Sequence, residues 1–235
     1  FELGAARLEG RGAGGAGAVM LPLNFAPAGA LASERVRALA TAIPRRRTNR
    51  AAYATAYPEG PVGAALRLAG LDAPSLLERQ SARLTLVRRD SAEGAVFADA
   101  TLAATRAIVA DPVMRADGHH WFRATPRAVA RHRDGVSIPT AGLSPAMTLL
   151  AQLAPAADAE TSGAHWLRST QAQLAAPGGF GWITADDLDD RAGQIAAGRL
   201  WQRLHLAFTN AGVAAHPLNQ LPEMVDRDRQ LARDA

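Results

Sequence analysis

Six consecutive residues, Arg45-Arg46-Arg47-Thr48-Asn49-Arg50, concentrate the chain's anion-binding chemistry. A guanidinium presents a planar fork of donors that meets phosphate oxygens two at a time. Thr48 and Asn49 add neutral donors among the cations, which suits a phosphate pocket better than a solvated charge run. The simpler alternative is a basic face turned to water, the usual fate of such a run. A second segment, His216-Pro217-Leu218-Asn219-Gln220, follows a long helical pattern and offers backbone and amide donors. His216 stands alone before a proline, a position more often structural or exposed than catalytic. No acid/base pair, nucleophile arrangement or metal-ligand spacing accompanies these segments. His119 and His120 are adjacent and so point in different directions, and cysteine is absent. The expected site therefore has no catalytic side chain and no metal.

All 26 basic residues are arginine, which explains a pI near 10.7 at a net charge of only +4. So small a charge argues against a general nucleic-acid binder, which carries a basic stripe. An arginine-rich module for nucleic acid or an acidic partner is the third and least favoured reading. The hydrophobic content of 48% is enough for a sizeable core and is supplied largely by alanine, pointing to closely packed helices. No apolar run approaches the roughly 20 residues that span a bilayer. The expectation is a cytoplasmic protein with no membrane partner, with an export signal upstream of Phe1 as the open alternative.

The elements that must position these residues are mostly helical. Phe1–Leu8 and Ala18–Leu23 are candidate strands around a glycine-rich stretch, Gly10–Gly17. Val36, Leu39, Ala40 and Ile43 share one helical face that Pro44 ends. Val62–Leu71 reads as a helix closed at Gly70, and Leu84–Val87 as a strand. Asp90 and Glu93 stand at capping-box spacing before a helix through Val109. Asp111-Pro112, Thr125-Pro126 and Ser144-Pro145 each open a helix with proline at its first position. Asp134-Gly135 is a turn. Trp121 reads as a core residue and Arg123 as a surface one. Pro155–Gly163 is a small, polar surface loop, and a helix follows around Trp166–Leu174. Gly179–Thr184 is a strand. Thr184 and Asp187 then cap the longest helix, Asp186–Ala211, which stops at Gly212. Its interior Gly193 and Gly198 each cost about 1 kcal/mol relative to alanine, so close packing is expected there.

Three segments, in order, resemble the flavin-dependent nitroreductase superfamily. They are Arg46-Arg47-Thr48-Asn49-Arg50, then Gly181–Asp187, and then Ala192–Gln220. The last holds Arg199-Leu200-Trp201-Gln202, Asn210-Ala211-Gly212-Val213 and the Pro217–Gln220 loop. Within that superfamily the chain is most similar to the Acg-type FMN-binding proteins, through Trp121-Phe122-Arg123, Asp134-Gly135-Val136 and the Pro-Leu-x-Gln loop. The resemblance implies a helix-rich α+β fold with a central, mainly antiparallel sheet flanked by helices. Residues 1–18 would be the remnant of a preceding half-domain or a linker, and 19–235 the FMN-binding domain. It implies FMN held by Arg46, Arg47, Thr48 and Arg50 at the phosphate and by Pro217, Leu218, Asn219 and Gln220 beside the ring. Hydride would pass from NAD(P)H to the flavin and on to a small nitroaromatic or quinone acceptor, in a homodimer or an internal pseudo-dimer. The alternative is a protein that sequesters flavin with little turnover, using the loop Pro155–Gly163 and the segment around Trp121–Pro139 as a cover. Two further flavin-holding segments of the family, an Asn-x-Gln-Pro-Trp stretch and a basic strand, would fall before Phe1 and after Ala235.

Overall fold

The computed structural model describes residues 34–71, 82–153, 158–187 and 189–234. The candidate strands Phe1–Leu8 and Ala18–Leu23, the glycine-rich stretch and the 1–18 boundary lie outside these residues. Helices dominate the described chain: α1 (Glu34–Ala42), α2 (Glu59–Ala69), α3 (Ala92–Ala110), α4 (Pro112–His120), α5 (Pro126–His132), α6 (Pro145–Leu153), α7 (Ala159–Ala175), α8 (Arg191–Asn210) and α9 (Gln220–Asp234). Strands β1 (Ala82–Arg88) and β4 (Gly179–Ala185) form a two-stranded antiparallel sheet. Strands β2 (Phe122–Arg123) and β3 (Val136–Ser137) form a two-residue parallel bridge. The fold is thus helix-rich α+β. Of the central, mainly antiparallel sheet that the resemblance implies, the described residues hold these two small pairings.

Two compact units share the chain, each assembled from three separate segments. Unit 1 takes Phe1–Arg46, Gly60–Leu84 and Ile183–Val213. Its core forms where α1 packs on α8, around Ala42, Ala65, Ala69, Leu200, Leu204, Ala207 and Phe208. Leu200, Leu204, Ala207 and Phe208 fall three or four residues apart, the stripe a helix must bury. The start of α8 corrects the sequence reading. Asp190, not Thr184 or Asp187, caps it by accepting from the Ala192 and Gly193 N–H groups. Gly193 is buried, and a Cβ there would press on that cap, 3.1 Å from Asp190 Oδ2. At Gly198 a Cβ would meet nothing within 4 Å, so the expected close packing is absent there among the described residues.

Unit 2 takes Arg47–Glu59, Thr85–Trp182 and Ala214–Ala235. Helix α3 is its centre, with α4, α7 and α9 packed against it. Ala104, Ile108 and Leu174 are buried apolar residues, and Phe97 stacks on Trp182 at 5.7 Å and lies tilted against Phe180 at 5.0 Å. The proline-opened helices start where the sequence places them, with Asp111 and Thr125 as side-chain caps. Ser91, rather than Asp90, caps α3, because Asp90 is engaged by Arg88. Residues 159–163, expected in a loop, form the first turn of α7 with Asp158 as its cap. Gly163 is buried there against Val109.

The first turn of α3 depends on Gly94. A Cβ built there falls onto the carbonyl oxygen of Arg88, which is rigid backbone. Helix propensity alone favours alanine at this position by about 1 kcal/mol. Gly94→Ala is instead expected to lower stability by about 1–3 kcal/mol, as overpacking does. Urea unfolding of the two proteins measures the sign directly.

Candidate functional site

The arginine run is extended and begins where a short 3-10 turn, Ile43–Arg45, ends. Arg45 and Arg46 belong to unit 1. Arg45 faces solvent, yet its guanidinium reaches Asn210 Oδ1 at 3.3 Å. Arg46 is exposed, and its N–H closes the turn onto Ala42 and Ile43. Arg47, Thr48, Asn49 and Arg50 belong to unit 2, as do Pro217, Leu218, Asn219 and Gln220.

Within unit 2 these two segments are joined by backbone. The Asn49 N–H donates to the Ala215 carbonyl at 3.1 Å. The Asn49 side chain accepts from the Ala51 N–H at 3.1 Å, a local turn that bends the chain after the run. Its carbonyl accepts from the Tyr53 hydroxyl at 2.5 Å. Arg50 is half-buried and fixed at both ends. Its carbonyl accepts from Gln173 Nε2 at 3.2 Å, and its guanidinium donates to the Thr140 carbonyl at 3.4 Å. Gly142 supplies the last constraint. It has φ +81°, and a Cβ there would fall onto the Arg50 carbonyl. A side chain is excluded at 142 by both conformation and contact.

The electrostatics follow from this packing. Among the described residues no carboxylate pairs with Arg50 or Arg46. Burial, reinforced by the positive charge of Arg50, pushes the His216 imidazole down to about 4, so it is neutral at physiological pH. Burial pushes the Tyr53 phenol up to about 12, opposed by Arg50. The site thus combines an unneutralised guanidinium with two neighbouring groups held uncharged.

In the loop, Pro217 and Asn219 are exposed and Leu218 is half-buried. The Asn219 carbonyl accepts the first helical bond of α9, from the Glu223 N–H. Gln220 is 4% exposed, and its Oε1 has no hydrogen-bond partner among the described residues. A buried acceptor left without a donor costs about 1–3 kcal/mol, which marks this position as one where a donor from a bound group would be favourable.

These observations test whether the residues suit FMN. Arg47, Thr48 and Arg50 provide the cationic and hydroxyl donors that a phosphate dianion needs. Gln220 Oε1 provides a buried acceptor suited to an imide N–H. The donor and acceptor types fit the group.

Several participants were not singled out in the sequence. Tyr53, Thr140, Gly142 and Gln173 approach Arg50 through tertiary contacts that no local spacing signals. Asn49, read in the sequence as a neutral donor of the run, acts here through its backbone N–H, its carbonyl and its side-chain oxygen. A shallow concavity of about 550 Å³ on α4, lined by Pro112, Val113, Ala116, Asp117 and His120, contains none of the candidate residues. Among the described residues no cluster of three His, Asp or Glu side chains could hold a metal ion, and no helix is long and apolar enough to cross a membrane. No protein-family model, no curated protein and no solved structure matches this chain.

The depressed His216 pKa has a consequence for stability. Above pH 6.5 the imidazole is neutral whether the chain is folded or unfolded. As the pH falls from 6.5 to about 4, the unfolded chain takes up the proton first, so folding is progressively disfavoured. His216→Gln is expected to flatten the stability profile over that window, read by denaturant midpoints at successive pH values.

Proposed function

We propose that unit 2 carries an FMN site and that the protein is an FMN-dependent oxidoreductase of nitroreductase type. The observation that carries this reading is the Asn49 N–H to Ala215 carbonyl bond. It joins, within one unit, Arg47, Thr48 and Arg50 of the segment that the resemblance assigns to the phosphate and the distant loop that it assigns to the flavin ring, while Arg46 falls in unit 1. Support also comes from the unneutralised Arg50 and the orphaned Oε1 of Gln220.

Bound FMN would supply the hydride chemistry, accepting from NAD(P)H and giving to a nitroaromatic or quinone, so the protein need only bind, orient and tune it. Arg47, Thr48 and Arg50 would neutralise and anchor the phosphate. Gln173 and Gly142 hold the Arg50 backbone in place, and the Thr140 carbonyl meets its guanidinium at 3.4 Å. Pro217 and Leu218 would pack beside the ring, and Asn219 or Gln220 would aim a backbone N–H at N5. Gln220 Oε1 would accept from the imide edge. His216, kept neutral, adds no second cation beside Arg50. The nitroreductase-like fold, and a homodimer or internal pseudo-dimer around the flavin, belong to the same reading.

A flavin-holding protein with little turnover is the second reading. The segment from Trp121 ends against Arg50 itself, through the Thr140 carbonyl and Gly142. A segment seated in this way could restrict access to the flavin.

The test is an FMN titration of the protein and of Arg50→Ala. A charged hydrogen-bonding partner is worth about 1.5–3 kcal/mol, so the variant is expected to bind about tenfold to a hundredfold more weakly. Unchanged affinity would remove Arg50 from the site, and a protein that binds no FMN would overturn the reading. Anaerobic mixing of the flavin-loaded protein with NADPH then separates the two possibilities. Rapid bleaching of the flavin marks the oxidoreductase, and persistent colour the sequestering protein.

A further inference from the structure

The chain from β2 to β3 builds a second feature, independent of the flavin reading. Arg123 is only 8% exposed, which is unusual for an arginine. Its Nε and Nη2 donate to Asp134 Oδ1 at 2.9 and 2.8 Å, and its Nη1 donates to the His120 carbonyl at 2.5 Å. The sequence reading of a buried Trp121 beside a surface Arg123 is reversed, since Trp121 is 50% exposed. Asp134, expected only to form a turn, is the counter-ion of Arg123. The Val136 N–H donates to the Trp121 carbonyl at 3.0 Å, which closes the loop that contains α5.

That loop is cationic. From Gly118 to Arg133 the sequence holds no carboxylate. Arg127, Arg131 and Arg133 are exposed, and none of them pairs with a carboxylate among the described residues. Asp134, the next residue, is committed to Arg123. Arg127 and Arg131 lie one helical turn apart on one side of α5, with about 5–6 Å between Cβ atoms at this spacing. Val129 falls on the other side of the helix.

Arg133 is the informative member. It closes α5 by donating its N–H to the Val129 carbonyl at 2.9 Å, and its φ is +56°. Among the described residues every other positive φ belongs to a glycine, at positions 70, 135, 142 and 212. The left-handed conformation strains a residue that carries a Cβ and does not strain glycine. Cations in a last helical turn also answer the helix dipole, which accounts for Arg131 and His132 but not for the strain at 133. An arginine kept where glycine fits without strain points to a use for its side chain.

We propose that Arg127, Arg131 and Arg133 form a docking strip for the phosphate backbone of a nucleic-acid duplex. Guanidinium forks match phosphate oxygens, and such contacts do not read base sequence. The strip holds no Phe, Tyr or Trp on which the unstacked bases of a single strand could lie. The arginine side of α5 holds no large apolar residue to enter a bilayer, so an anionic membrane suits it less. The whole-chain charge of +4, which argues against a general nucleic-acid binder, conceals this local concentration.

The probe is a fluorescein-labelled DNA duplex, titrated with the full chain and followed by anisotropy at several salt concentrations. One phosphate neutralised by each arginine gives a log–log salt slope of about −3, a loss of about fortyfold in affinity between about 50 and 200 mM salt. Two duplexes of unrelated sequence should bind equally. Arg127→Gln with Arg131→Gln should reduce the slope to about −1. Arg133→Gly should remove about one unit of slope without lowering the urea midpoint, because glycine fits the left-handed position. Absence of binding, a slope unchanged in these variants, or binding to phosphatidylglycerol vesicles in place of the duplex would overturn the proposal. So would a lowered midpoint in Arg133→Gly, which would make that arginine a structural member. None of these variants touches Arg50 or the Pro217–Gln220 loop, so the FMN titration fails or succeeds separately.

Discussion

One backbone hydrogen bond, from the Asn49 N–H to the Ala215 carbonyl, is the constraint on which the candidate site rests. It ties a segment before α2 to the segment that enters α9. Neither segment has regular structure to hold it in place. The bond works because Asn49 also bends the chain with its side chain and receives the Tyr53 hydroxyl on its carbonyl. One asparagine therefore uses its N–H, its amide oxygen and its carbonyl together. The use of these three groups fixes Arg50, the next residue, at a defined place in unit 2.

The cost of this arrangement is distributed over residues with no chemical role of their own. Gly142 adopts a left-handed conformation so that the backbone can approach Arg50 closely. Gln173 contributes a side-chain amide from α7. Burial beside Arg50 keeps His216 uncharged, and burial moves the Tyr53 phenol, already neutral, further from ionisation. An arginine without a carboxylate partner among the described residues is poorly compensated on its own, so the local field is set for an anion. The opposite solution appears at Arg123, where Asp134 and the His120 carbonyl engage all three guanidinium nitrogens. The contrast between these two arginines distinguishes a cation kept available from a cation used as a structural member.

Much of the helical framework was legible from local chemistry. Asp111-Pro112, Thr125-Pro126 and Ser144-Pro145 begin helices because a capping oxygen and a proline at the first position suit the unpaired N–H groups there. The closures at Gly70 and Gly212 also follow, since both adopt positive φ. The misread boundaries share a cause. Near α3 and α8 several Ser and Asp residues compete for the cap, and an ion pair or the geometry of the preceding strand decides among them. Asp90 is withdrawn by Arg88, and Ser91 takes the position. Trp121 and Arg123 were misassigned because hydropathy ranks a tryptophan inside and an arginine outside, while Asp134, eleven residues later, reverses the order.

The sequence by itself determined the helix-rich composition, the caps and stops of most helices, and the presence of an arginine run with hydroxyl and amide neighbours. These are local properties, fixed by backbone sterics and by hydrogen bonds spanning three or four residues. Only the tertiary structure decided that the run meets the 214–220 loop, that His216 is neutral, that Gln220 is buried with an unused acceptor, and that Trp121 stands exposed on a buried ion pair. Each of these depends on contacts between residues far apart in sequence, where burial and a neighbouring charge, rather than residue type, set the chemistry.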